Sequence, residues 1–463
     1  MNSVMKDTAE KEITDILEQQ RAYFASQQTK SLKFRVEQLR KFKAAVKKFE
    51  QEITDALFKD LHKSSEESFL TEISIVLQEV DYHLAHLHQW TKPERVSTPA
   101  YMFPSSGKVV QEPLGIALIM APWNYPFQLL MNPLIGAISS GCCALVKPSP
   151  SVPTVSSVID KLIRETFDPE YIAIVHGGKE VNELLFKQRF DLVFFTGSPA
   201  VGKIVMKAVA ENLTPSVLEL GGKSPCIVDA DANISVAAKR IAWGKTINAG
   251  QTCIAPDYLF VHHSVKEELL KKIQQHIEKM YGPDIRKSDY FGRIVDETAF
   301  ERVSGLLKEG TIVYGGETVA EEKYIAPTII DNVEPGFAIM QQEIFGPVLP
   351  VMTFENLDEP VAYINSHEKP LALYYFGKSK SAEKVLSATS SGGVCINDTL
   401  MHVANHDLPF GGVGNSGTGS YHGHKSFLAF SHAKSVVTTP TWIDIPMKYA
   451  PFRHFFGWIK KLL

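Results

Sequence analysis

The chain lacks several features that would each have pointed to a class of function. Cysteine is scarce: five in 463 residues, an odd number at no regular spacing. That argues against a disulfide framework and fits a reducing compartment. No CxxC pattern offers a metal site, and the adjacent Cys142 and Cys143 sit in an apolar run, where free cysteine behaves as core. Charge of one sign is also missing. A net charge of −4 gives no electrostatic reason to expect nucleic acid as a partner. No run approaches the ~20 apolar residues of a spanning helix. The N-terminus is charged from Lys6 onward and has no signal-peptide core, so a cytoplasmic location is expected. Internal repeats and low-complexity tracts are absent as well, and the strand-to-helix turn at Gly197–Gly202 is not the usual GxGxxG.

What is present is a long, ordinarily globular chain, 44% hydrophobic and 22% charged, with room for two or three domains. Residues 8 to 90 carry apolar side chains at helical spacing. Pro93, Pro99, Pro104 and Gly107 mark loops around a short strand at Lys108 to Glu112. From Gly115 the pattern alternates strand and helix. β runs are expected at Ile116–Met120, Ala144–Val146, Ile172–Val175, Leu192–Phe195 and Ser216–Leu220. Helical stretches between them imply right-handed crossovers and a parallel, doubly wound sheet, which binds ligands beyond the carboxyl ends of its strands. A second α/β series begins after Gly222, with strands at Cys226–Val228, Tyr258–Val261, Tyr324–Ile330, Gly346–Thr353 and Val394–Asn397. Ala433–Thr438 has strand character and could pair across a subunit boundary. The last stretch, Ala450 to Leu463, interleaves aromatic and basic residues. It reads either as a tail packed on the body or as an interfacial anchor.

Candidate chemistry gathers at turns. Cys253 follows Asn248-Ala249-Gly250-Gln251-Thr252 at the end of a helical run and precedes Pro256, so it lies in a turn. A thiol that attacks a carbonyl forms a covalent intermediate, which a positioned base must then help hydrolyse. Glu219, in Glu219-Leu220-Gly221-Gly222, is the carboxylate that could activate that water. Gly197-Ser198-Pro199-Ala200-Val201-Gly202 lies between strand and helix, where backbone N–H groups can hold a pyrophosphate; a plain tight turn is the other reading. Lys147 ends an apolar strand, either solvated there or within reach of ribose hydroxyls. Glu343 and Phe345 precede a turn, and a capped loop with Phe345 in the core would explain them equally.

Taken together, these stretches resemble the aldehyde dehydrogenase superfamily nearly end to end. The matching blocks are APWNYP at Ala121–Pro126, VKPS at Val146–Ser149, FFTGS at Phe194–Ser198 and LELGGKSP at Leu218–Pro225. NAGQTC at Asn248–Cys253, EIFGPV at Glu343–Val348 and PFGGVGNSG at Pro409–Gly417 complete the order. The short N-terminal region and the FGGVGNSG block look most like the class-3 branch, which includes fatty and aromatic aldehyde dehydrogenases. The resemblance implies an α/β fold of two doubly wound Rossmann-like domains and a small β oligomerisation element. Residues 1–91 and 114–221 would bind the dinucleotide and 222–395 would form the catalytic domain. Residues 92–113 and 396–440 would bridge or oligomerise, and 441–463 would form the tail.

The resemblance also assigns roles position by position. Cys253 would be the nucleophile, Glu219 the general base, and Asn124 with the Cys253 N–H the oxyanion hole. Lys147 would hold the adenosine ribose, and Gly197, Ser198 and Gly202 would lie by the pyrophosphate. Glu343 would hold the nicotinamide ribose, with Phe345, Trp123, Leu220 and Gly221 around the same cofactor. Tyr125 and Phe410 would line the aldehyde channel, for which Phe127 and Met131 also suggest apolar walls. The cofactor would be NAD. NADP is expected to be accepted too, because Pro150 stands where many relatives carry a ribose-binding glutamate, and the repulsion of a 2′-phosphate is lost. A homodimer and a peripheral membrane contact through the tail are the expected associations. A semialdehyde dehydrogenase is the competing enzyme reading, and an inactive binding protein that keeps the fold is the competing class.

Overall fold

The computed structural model describes residues 6–451 together with 456, 457 and 460. The tail aromatics Phe452, Phe455 and Trp458, with Ile459, Leu462 and Leu463, lie outside the described residues. No helix among those described is long and apolar enough to cross a membrane.

Residues 10–90 form a helical layer: Glu10–Ala25, Leu32–Lys48, Glu50–Leu61 and Ser74–Trp90, with one π-helical turn at Phe69–Ile73. The spacing of apolar residues decides which faces go inward. Ile13 and Leu17, Leu39, Phe42 and Val46, and Ile53 and Leu57 are all fully buried.

This layer packs on a six-stranded sheet. In spatial order its strands are Gly417–Thr418, Ser216–Leu220, Leu192–Gly197, Ile116–Met120, Cys143–Lys147 and Ile172–Ile174. The five expected strands are mutually parallel. Ile116–Met120 is buried at every position, as a strand covered by helices on both faces must be. The sixth strand, Gly417–Thr418, is antiparallel and comes from the glycine-rich stretch, placing Gly417 opposite Glu219. It has no hydrophobic alternation, so nothing in its own residues announced a strand. The strand order reverses between Ile116–Met120 and Leu192–Gly197. A doubly wound sheet opens its binding crevice at such a point, here flanked by Trp123-Asn124 and Gly197-Ser198.

The second sheet has seven strands: Thr311–Tyr314, Thr328–Asp331, Val348–Phe354, Tyr258–His262, Pro225–Val228, Ala372–Phe376 and Gly393–Ile396. All pairs are parallel except the edge pair made by Thr311–Tyr314. Two expectations change here. The run Tyr324–Ile330 is split at Ala326-Pro327, because Pro327 has no N–H to donate. Tyr324–Ile325 pairs with Thr318–Val319 instead, and Thr328–Asp331 alone joins the sheet. Ala372–Phe376, buried throughout, is a central strand that periodicity did not separate from its surroundings. A third, antiparallel sheet joins Glu94–Val96, Ser106–Pro113 and Ser431–Thr438. The closing strand therefore finds a partner inside its own chain, in register from Ser431 opposite Pro113 to Thr438 opposite Ser106.

Candidate active site

The Cys253 turn is built by an uncommon backbone. Helix Ile234–Thr246 stops, and Asn248, Ala249 and Gly250 then take positive φ values of 51°, 52° and 72° in succession. Two non-glycine residues in the left-handed region are strained and persist only where the surroundings over-determine them. Gly250 is required twice over, for its φ and because a Cβ there would collide with the Gly346 carbonyl. The turn is pinned from several directions. Gln251 Nε2 donates to Asn248 O at 3.0 Å and to Arg293 O at 2.9 Å, while its Oε1 accepts from Val295 N at 3.0 Å.

A second loop, at the carboxyl end of Ile116–Met120, is tied to the first. Asn124 Nδ2 donates to Gln251 O at 3.0 Å, and Asn248 Nδ2 donates to Asn124 O at 2.8 Å. The Tyr125 hydroxyl shares a 2.7 Å hydrogen bond with Thr252 Oγ1, next to the thiol. Cys253 is the one half-buried cysteine of the five; Cys142, Cys143, Cys226 and Cys395 are buried. Burial, then the charges of Glu343 and Glu219, push its thiol up to about 12.

Glu219 lies on Ser216–Leu220, only 2% exposed, and neither carboxylate oxygen has a hydrogen-bond partner. Burial alone raises its carboxyl well above the usual range. Glu343 is half-buried with its Oε1 orphaned, and its carboxyl, desolvated and facing Asp257, is pushed up to about 8. Gly221 abuts that carboxyl. Phe345, at φ 50°, meets Trp123 edge to face, with ring centroids 5.2 Å apart.

Farther along the same sheet, Ser198 Oγ accepts from Val201 N and caps helix Pro199–Ala210. Gly202 is buried so closely on Leu220 that a Cβ would lie 2.7 Å from Leu220 Cδ2. Lys147 is buried, which lowers its ammonium to about 8 against the opposing charge of Asp7. A cleft of about 660 Å³ lies beside Pro199, Gly221, Gly222 and Glu343.

Cys253 itself lines a mostly apolar cavity of about 630 Å³. Tyr125 and Phe410 line it, as expected. Phe127 and Met131 do not: both are fully buried in the core, since the helix Gln128–Ser140 they open is interior along its whole length. The walls come instead from Leu70, Trp243, Met280, Tyr281, Leu400 and Met401. These residues share no motif and are brought together only by the packing of distant segments. Glu67 also lines the cavity, its carboxyl raised to about 7 by burial and its Oε1 accepting from Asn248 N at 2.8 Å.

Fold and site together define an α/β protein with two large, mostly parallel sheets, a dinucleotide-type crevice and a cysteine thiol on the wall of an apolar cavity. Residues 2–436 match the aldehyde dehydrogenase family, and the chain belongs to it; it is an oxidoreductase acting on aldehydes. It is 48% identical to the 4,4'-diaponeurosporen-aldehyde dehydrogenase of Staphylococcus aureus over 95% of this chain and 96% of that one. It is 41% identical to the dimeric NADP-preferring aldehyde dehydrogenase of Canis lupus familiaris, over 94% and 96%. Among solved structures, the substrate-bound state of Staphylococcus aureus AldH superposes with a TM-score of 0.95 at 47% identity, covering 97% of this chain and 99% of that one.

Proposed function

We propose that the protein oxidises medium- or long-chain aliphatic or aromatic aldehydes to carboxylic acids through a thioester on Cys253. The observation that carries this reading is the apolar cavity ending on Cys253, whose described lining contains no lysine or arginine. A substrate with a second, anionic end would find no lysine or arginine there and would meet Glu66 and Glu67, which counts against the semialdehyde reading. The name of the Staphylococcus aureus relative, an enzyme of a long apolar aldehyde, points the same way.

In this mechanism the Cys253 thiol gives its proton to solvent, its sulfur bonds to the carbonyl carbon, and the π pair moves to oxygen. The Asn124 amide and the Cys253 N–H stabilise that alkoxide, which is worth a few kcal/mol, about 3, where the charge develops. A nicotinamide dinucleotide, when bound, supplies the hydride acceptor. The residues present suit such a group. Glu343 offers an orphaned oxygen to a ribose hydroxyl, Lys147 offers a buried ammonium to the second ribose, and Gly197, Ser198 and Gly202 open a helix N-terminus to phosphate. Trp123, Phe345, Leu220 and Gly221 would flank it. Glu219 then takes a proton from the water that cleaves the thioester. Glu219 is buried with no hydrogen-bond partner in the protein, and that burial raises its carboxyl well above the usual range, toward a stronger base.

Both NAD and NADP would serve, since Pro150 offers no acid to repel a 2′-phosphate and relatives include an NADP-preferring enzyme. Residues 1–91 and 114–221 would carry the dinucleotide and 222–395 the thiol. Residues 92–113 and 396–440 would serve a homodimer, as in the relative named dimeric. The basic, aromatic tail 441–463 would either pack on the body or touch a membrane surface, and vesicle sedimentation with and without the tail distinguishes the two.

The deciding experiment is Glu219→Gln under single- and multiple-turnover conditions. A burst of absorbance at 340 nm equal to the enzyme concentration, followed by turnover slowed roughly 10²–10⁴-fold, is expected. Undiminished steady turnover would remove Glu219 from the role of base. For the substrate, kcat/KM should rise from acetaldehyde to hexanal and benzaldehyde; the reverse order refutes the apolar channel. Discrimination against NADP by roughly a thousandfold or more would refute dual cofactor use.

A further inference from the structure

A buried cation sits beneath the two loops and takes no part in the chemistry proposed above. Lys63 follows the left-handed residue His62 that ends helix Glu50–Leu61, and its side chain is 0% exposed. Its ammonium donates to Glu72 Oε1 at 2.6 Å and to the Asn124 carbonyl at 2.8 Å. It also lies 4.0 Å from the centroid of the Tyr125 ring, so each of its three hydrogens has a partner. Glu72, also 0% exposed, spends its other oxygen on the N–H groups of Phe127 at 2.9 Å and Gln128 at 3.1 Å. That caps the helix following the loop.

Stability alone does not account for this arrangement. A buried ion pair is often no more stable than apolar residues of the same volume, because desolvation offsets the Coulomb attraction. What the pair supplies is direction. Asn124 O receives one hydrogen bond from Lys63 and one from Asn248 Nδ2, while Asn124 Nδ2 reaches Gln251 O, two residues before the thiol. Tyr125, under the same ammonium, bonds Thr252. The strained Asn248–Gly250 backbone needs external support of this kind.

We propose that Lys63 is a positioning residue of the active site. Pinned by Glu72, it holds the Asn124-Tyr125 dipeptide against the Asn248–Cys253 turn, so that the Asn124 amide keeps its place over the alkoxide. This rests on the reading of Asn124 as oxyanion donor.

A double-mutant cycle tests it. Lys63→Met should lower kcat roughly 10–100-fold, the cost of a misplaced catalytic group, with KM for the dinucleotide within about twofold. In an Asn124→Ala background the same substitution should cost less than about threefold, because the group it positions is gone. Equal losses in the two backgrounds, or kcat above half in Lys63→Met, would overturn the proposal. If Lys63→Met does not fold, Lys63→Met with Glu72→Gln leaves no uncompensated charge and enters the same cycle. Failure of both to fold also overturns it, since Lys63 would then specify the fold and not the position of Asn124. If Asn124→Ala alone left turnover intact, the oxyanion assignment would fail first, and the role of Lys63 with it.

Discussion

Two buried carboxyls, Glu72 and Glu219, are treated in opposite ways. Glu72, toward the helical layer, is met by an ammonium and two backbone N–H groups. Glu219, toward the dinucleotide sheet, has no partner on either oxygen. Their neighbours do not divide so cleanly: Lys63 and Asn248 N find hydrogen bonds, whereas Asn124 Oδ1, Asn248 Oδ1, Glu343 Oε1 and Thr196 Oγ1 have none within the protein. A native interior leaves few buried polar groups unsatisfied, and those it leaves call for an explanation. The paired Glu72 holds geometry; the unpaired Glu219 keeps both oxygens for chemistry.

The largest expected effect lies at the thiol itself. Cys253→Ala should reduce acid formation to background, seen as no absorbance growth at 340 nm with aldehyde and dinucleotide, while binding of the dinucleotide by fluorescence is retained. Next comes the comparison itself, read as stability. Glu72→Ala strands the Lys63 ammonium and should cost about 3–5 kcal/mol. Glu219→Met removes a buried carboxyl with no hydrogen-bond partner in the protein and should change stability by less than about 1 kcal/mol, or raise it. Apparent urea midpoints measure both, and equal losses would break the contrast.

A smaller effect concerns charge in the cavity. An aldehyde with a terminal carboxylate should show kcat/KM lower by roughly 100-fold than an alkyl aldehyde of the same length, and Glu67→Gln should narrow that gap several-fold, to roughly 30-fold. The smallest is electrostatic. Glu343 ionises above about 8 and its charge raises the Cys253 thiol. Removing the charge by Glu343→Gln lowers the thiol pKa, so iodoacetamide alkylation at pH 9 should quicken about 3–10-fold. At pH 6, where the wild-type carboxyl is already neutral, the two proteins should react alike.

The amino-acid order by itself carried the parallel sheet, since Ile116–Met120 and its companions are apolar runs that only a doubly covered sheet can bury. It carried the thiol turn, because a lone cysteine after Asn-Ala-Gly-Gln-Thr stood apart from four core cysteines, and it carried the glycines where helix meets strand. It did not separate Ala372–Phe376 from its neighbours, show that Pro327 would split a strand, or announce Gly417–Thr418 as one. Those outcomes depend on which edge or neighbour is free, and no local pattern records that.

Site residues divide along the same line. Cys253, Glu219, Asn124, Glu343 and Phe345 lie in motifs of their own. Lys63, Glu67 and Glu72 sit in a helical stretch with no distinguishing pattern and acquire meaning only when folding sets them under Asn124 and Asn248. Phe127 and Met131 looked like channel walls, yet their helix is wholly interior, and the cavity went to Leu70, Trp243 and Leu400 from elsewhere in the chain. Chemistry that depends on a residue's type can be read along the chain. Chemistry that depends on desolvation and on partners, such as an orphaned Glu219 or a three-partnered Lys63, exists only once distant segments have closed around it.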